Sequence, residues 1–151
     1  MSKRFAALIA GLALALSLVS PAAAGTGGSP LSTTLTGAAE APGPGDPDAT
    51  GQVNLRLNQG KERVCFAISW SGIDGTVFAG HIHIAPPGVP GPIVVTLFTG
   101  SFAGTDEVSD CVGNVDRSLI KAIRKDPSAY YVNLHSLPNF PNGAVRGQLG
   151  K

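Results

Sequence analysis

Alternation of apolar and polar positions dominates this chain from residue 31 onward, and it predicts strands. In QVNLRLN, Val53, Leu55 and Leu57 share one face, while Asn54, Arg56 and Asn58 share the other. RVCFAISW repeats the pattern with Val64, Phe66, Ile68 and Trp70, and the polar turn Asn58-Gln59-Gly60-Lys61 makes the two runs a hairpin. LSTTLTGAAE (Leu31 to Glu40) is expected as an opening strand, with Leu31, Thr33 and Leu35 on one side. APGPGDPDATG then reads as a loop, because its prolines cannot donate and its glycines are unconstrained. TVFAGHIHIA and PIVVTLFTG predict two more strands around a loop from Pro86 to Gly91. The second is apolar on both sides (Ile93, Val94, Val95, Leu97, Phe98), as expected of a strand covered on both faces. YYVNLHS and GAVRGQLG predict a closing pair joined by the turn LPNFPNG. One stretch changes period. In NVDRSLIKAIRKDPSAYY, Leu119, Ile120 and Ile123 have helical spacing, Asp116 suits the N-cap and Pro127 ends the run. The expected fold class is all-β: an Ig-like, Greek-key β-sandwich or barrel with one short helix near the C-terminus.

The first residues follow a different rule. Met1-Ser2-Lys3-Arg4 is basic, Phe5 to Val19 is almost unbroken apolar sequence, and Pro21 precedes Ala22-Ala23-Ala24. This is the pattern of a secretory signal, short for a membrane span, so residues 1–24 are expected to be removed. Residues 25–30 are expected to form a flexible lead-in, and residues 31–150 the domain. Of 151 residues, subtracting 24 leaves 127, which suits one domain. Without Lys3 and Arg4, the 11 Lys+Arg become 9 against 10 Asp+Glu, a formal net of −1. That balance gives no reason to expect a nucleic-acid partner, and no second apolar segment is long enough to span a membrane. The expected location is extracytoplasmic, periplasmic or extracellular. Cys65 and Cys111 are the only cysteines, and in an oxidising compartment they are expected to form a disulfide.

The chain has three histidines. His81 and His83 are two apart on an expected strand, so both project from the same face, roughly 7 Å apart at the backbone. In YYVNLHS, Val132 and Leu134 form the natural core side, which leaves Tyr131, Asn133 and His135 on the other. In GAVRGQL, Val145 and Leu149 face inward, and Arg146 and Gln148 face outward. If these strands pair, the three histidines, Tyr131, Asn133, Arg146 and Gln148 make one polar patch. Neutral imidazoles suit copper, zinc or nickel, and three of them leave a coordination position open. The alternative is that they only hydrogen-bond their neighbours and hold the patch together. Other chemistry is sparse: no Gly-x-Ser-x-Gly elbow, Cys–His nucleophile pair or phosphate loop is present. Asp106, Glu107 and Asp110 are expected as loop or strand-edge charges, Asp46 and Asp48 as solvated loop residues, and Trp70, Tyr130 and Tyr131 as packing residues.

LTGAAEAPG, GHIHIAPPGVPGPIVVTLF and the pair YYVNLHS and FPNGAVRGQL together resemble the CHRD domain, first described in the developmental inhibitor chordin and widespread in secreted bacterial proteins. The resemblance runs from Leu31 to Leu149. It implies an immunoglobulin-like β-barrel and marks His81, His83, Tyr131, Asn133, His135, Arg146 and Gln148 as characteristic positions. It implies no particular activity. AGHIHIAPPG also looks somewhat like the strand that supplies copper ligands in copper–zinc superoxide dismutases, with Arg146 in the place of an anion-guiding arginine. Three histidines are too few for that bimetallic site. The expectation is therefore a secreted, non-enzymatic binding module with a three-histidine copper or zinc site and an extracellular ligand. Two alternatives stand beside it, a copper-dependent redox protein and a purely structural envelope or matrix protein.

Overall fold

The computed structural model describes residues 28–150; the expected signal segment therefore lies outside the described residues. Eight strands form one antiparallel sheet: β1 (Ser29–Thr36), β2 (Thr50–Asn58), β3 (Arg63–Ser71), β4 (Thr76–Ile84), β5 (Ile93–Thr99), β6 (Glu107–Val112), β7 (Tyr130–Leu137) and β8 (Phe140–Gln148). Their order is β5-β4-β7-β8-β1-β2-β3-β6, and the sheet curls until β5 and β6 approach each other. Of the two layouts expected, this is the barrel. β1 begins at Ser29 and so takes in the last two residues of the expected lead-in; a 3₁₀ turn, Gly37–Ala39, then ends the run expected as strand to Glu40.

The period-2 pattern explains which face is inside. Along β2, Val53, Leu55 and Leu57 are buried between exposed Gln52, Asn54 and Arg56. Val64, Phe66 and Ile68 of β3 stand opposite them across the hairpin, and the buried Trp70 stands opposite Gly51. Burying each such side chain contributes about 1.5–3 kcal/mol relative to leaving it in water. One helix, α1 (Arg117–Lys125), lies close to β1 and β2. Asp116 caps it by accepting from the Ser118 and Leu119 amides, and Ile120 and Ile123 enter the core.

Two expectations change. β5 is a terminal strand: Val95, Leu97 and Phe98 are buried, but Ile93 is 50% exposed and Val94 only partly covered. Being apolar on both sides did not mean being covered on both sides. Glu107 and Asp110 are strand-edge charges, as one of the two expectations had it: they lie on the terminal strand β6, paired with β3 so that Cys65 stands opposite Cys111, and the two form the expected disulfide. Asp46 is not a solvated loop residue. It is buried, and its carboxylate accepts from the Asp48 and Asp74 amides (3.3 and 2.7 Å), joining the β1–β2 and β3–β4 connections.

Candidate metal centre

Register across β4, β7 and β8 assembles the polar patch. His81 stands opposite Asn133, and Asn133 opposite Arg146; one step along, His83 stands opposite Tyr131, and Tyr131 opposite Gln148. The intervening Ile82, Val132, Leu134 and Val145 belong to the core cluster, so the patch occupies the outer face of the sheet. It is nonetheless largely buried: His83 is 7% exposed, His135 9% and Arg146 1%. Two loops cover it, the β4–β5 connection from Ala85 to Pro92 and the β1–β2 connection around Glu40.

The β4–β5 connection is held by its main chain. Arg146 donates to the carbonyls of Val89 and Pro86, both at 2.9 Å. Gln148 donates to Ala85 O at 2.7 Å, and Tyr131 Oη accepts from Gly91 N at 3.1 Å. The Tyr131 ring lies between two partners, parallel to His83 at 4.7 Å and under the Arg146 guanidinium at 3.4 Å. A cation over an aromatic face gains electrostatically, most of all away from water. Buried, with its donors occupied by carbonyls, Arg146 is not presented to an incoming anion.

All three imidazoles meet. His81 Nδ1 lies 3.1 Å from His135 Nε2, and the ligand atoms of the three residues lie within 4.8 Å of one another. Hydrogen-bond logic fixes two tautomers. His83 Nδ1 contacts Gly91 O at 2.8 Å, and His135 Nδ1 contacts Pro141 O at 3.0 Å. Carbonyls only accept, so both Nδ1 atoms carry hydrogen, and in the neutral rings both Nε2 atoms offer lone pairs. His81 Nδ1 then donates to His135 Nε2. His83 Nε2 is buried with no partner at all, an arrangement that costs free energy unless something occupies it. Burial, then the neighbouring His135 and His83, push His81 down to about 4; burial likewise lowers His135 against the opposing pull of its Pro141 carbonyl bond. Two of the imidazoles are thereby kept in the neutral form that binds cations.

Every residue expected in the patch is present, and the cysteines are paired. Four contributors were not foreseen. Glu40 packs beside Asn133 and Arg146, Pro141 and Gly91 supply the carbonyls that orient the imidazoles, and Phe78 lies 5.9 Å from the His135 ring. Carbonyl roles carry no residue signature, and Glu40 sits in a run that looked like strand. Only the density of proline and glycine after Ala85 hinted that backbone atoms would come close.

Fold and site together define a class: an antiparallel β-barrel bearing a covered cluster of imidazoles on its outer wall. The family model for the CHRD domain matches residues 31–149, and the chain belongs to that family. No curated protein and no solved structure matches it.

Proposed function

We propose that the protein is a binding module whose outer wall holds one copper or zinc ion on His81, His83 and His135. The observation that carries this reading is the unpartnered, buried Nε2 of His83 beside two more imidazole nitrogens. At metal–nitrogen bonds of about 2.0–2.1 Å, tetrahedral ligand atoms stand about 3.3 Å apart. His81 Nδ1 and His135 Nε2 are already 3.1 Å apart; on metal binding His81 takes the other tautomer, its hydrogen on Nε2, and ring rotation brings the remaining nitrogens in from at most 4.8 Å. Three nitrogens without a carboxylate favour copper or zinc over calcium or magnesium. The expected location is outside the cytoplasm, where a disulfide persists; among the described residues no helix is long and apolar enough to cross a membrane.

The test is metal analysis and calorimetric titration with copper and zinc. One equivalent is expected for the wild type, with at least a tenfold loss of affinity in each of His81→Ala, His83→Ala and His135→Ala. Because burial holds His81 down to about 4 and lowers His135 as well, affinity should fall on acidification, with His81 lost as a ligand as the pH approaches 4. A wild type that takes up neither metal, in protein whose histidine variants lose only thermal stability, leaves the cluster with a purely structural role.

A further inference from the structure

Charge on the barrel is sorted by end. The register places the start of β1, the end of β2, the start of β3, the end of β6, the start of β7, the end of β4 and the start of β5 at one end. That end carries Lys61, Arg63, Arg117, Lys121, Arg124 and Lys125, whereas Glu40, Asp46, Asp48, Asp74 and Asp106 lie on connections at or near the other, and Glu107 begins β6 there. The carboxylates at the basic end are already engaged. Glu62 pairs with Arg117 at 2.7 Å, Asp116 caps α1 and Asp126 accepts from Ser128. Among the described residues, Lys61, Lys121 and Lys125 have no carboxylate partner. Lys121, Arg124 and Lys125 border a groove of about 670 Å³ whose wall includes Pro30 and Leu31, and Lys61 and Arg124 border a second of about 430 Å³ that shares Ser29 and Gln59 with it.

Apolar side chains are exposed on the same part of the molecule. Ile84, 39% exposed, ends β4 and Ile93, 50% exposed, begins β5, and Val89 on their connection is 46% exposed.

We infer that the basic end docks on the surface of an anionic lipid bilayer. Unpaired lysines attract acidic headgroups, while exposed aliphatic side chains favour the headgroup–acyl boundary. A soluble polyanion would use the lysines but would have no need of Ile84, Val89 and Ile93.

Flotation of the exported protein with vesicles tests this. Binding is expected on phosphatidylcholine mixed with phosphatidylglycerol and not on phosphatidylcholine alone, and it should weaken as salt rises. Each of Lys61→Gln, Lys121→Gln and Lys125→Gln should lower the partition coefficient about fivefold. Ile93→Ser should also weaken binding while leaving its salt dependence unchanged. These side chains are exposed, so thermal melts should match the wild type and exclude misfolding as the cause. Equal binding to both vesicle types, or undiminished binding by the triple lysine variant, overturns the inference. Retention on heparin without binding to phosphatidylglycerol vesicles overturns it too and assigns the surface to a soluble polyanion.

Discussion

Glu40 is a carboxyl held where water cannot reach one of its oxygens. Its Oε1 is buried without a partner, and the group presses against Gly143, whose φ of 143° and missing side chain make room for it. Burial lifts its pKa to about 7, although the Ala41 amide, the Arg146 charge and the Asn133 amide all pull the other way. The folded state therefore binds this proton more tightly than the unfolded chain does. The associated stability is complete below the ordinary carboxyl value of 4.5 and is lost as pH rises through about 7. Glu40→Gln mimics the protonated form, so the melting temperature of the variant relative to the wild type should climb between pH 5 and pH 8. A difference that stays flat across that range would show that Glu40 does not titrate in the fold. His81 works in the opposite direction. Between 6.5 and about 4 the unfolded chain takes up a proton that the buried ring refuses, so acid weakens the fold there.

Among the elements, the β4–β5 connection depends most on one side chain. Arg146→Met keeps most of the buried stem but leaves the carbonyls of Pro86 and Val89 without their donor. Leaving two partly buried acceptors without their donor and removing the charge over Tyr131 should cost roughly 2–3 kcal/mol, read from urea denaturation. Arg146→Lys keeps the charge without the planar fork and should fall between the two. A loss under about 1 kcal/mol for Arg146→Met would mean that the connection is held by something else. Much of this level was legible in the sequence. Strict alternation marked β2 and β3, Asp116 marked the start of α1, and the i, i+2 spacing of His81 and His83, set against Val132 and Leu134, placed the three imidazoles on one face. β6 was not legible, because EVSDCV buries none of its residues fully and so carries no period. The cover of the site was hidden for another reason: it consists of main-chain oxygens and one distant carboxyl, and alternation reports on neither.

For the molecule as a whole, closure matters more than any single strand. β6 holds its place through its ladder with β3 and through the Cys65–Cys111 bond, while Phe66, Trp70, Phe98 and Phe102 bridge from β3 to β5 across the seam. The disulfide spans 46 residues and shortens the unfolded chain's reach, which stabilises the fold by roughly 4 kcal/mol in the chain-entropy account. The double variant Cys65→Ala/Cys111→Ala should lose about that much in denaturant titration; an unchanged midpoint would assign closure to the aromatic seam alone. The sorting of charge between the two ends appears only at this scale, since a formal net of +1 for the full chain is silent about where the charges sit. The way Arg146, Gln148, Tyr131 and His83 hold the connection above them has one more consequence. Their hydrogen bonds go to peptide groups and not to the side chains of residues 86–90, so, apart from Gly88 with its φ of 74°, those positions are open to replacement, and foreign recognition sequences that keep this glycine could be grafted there while the imidazoles beneath keep their alignment.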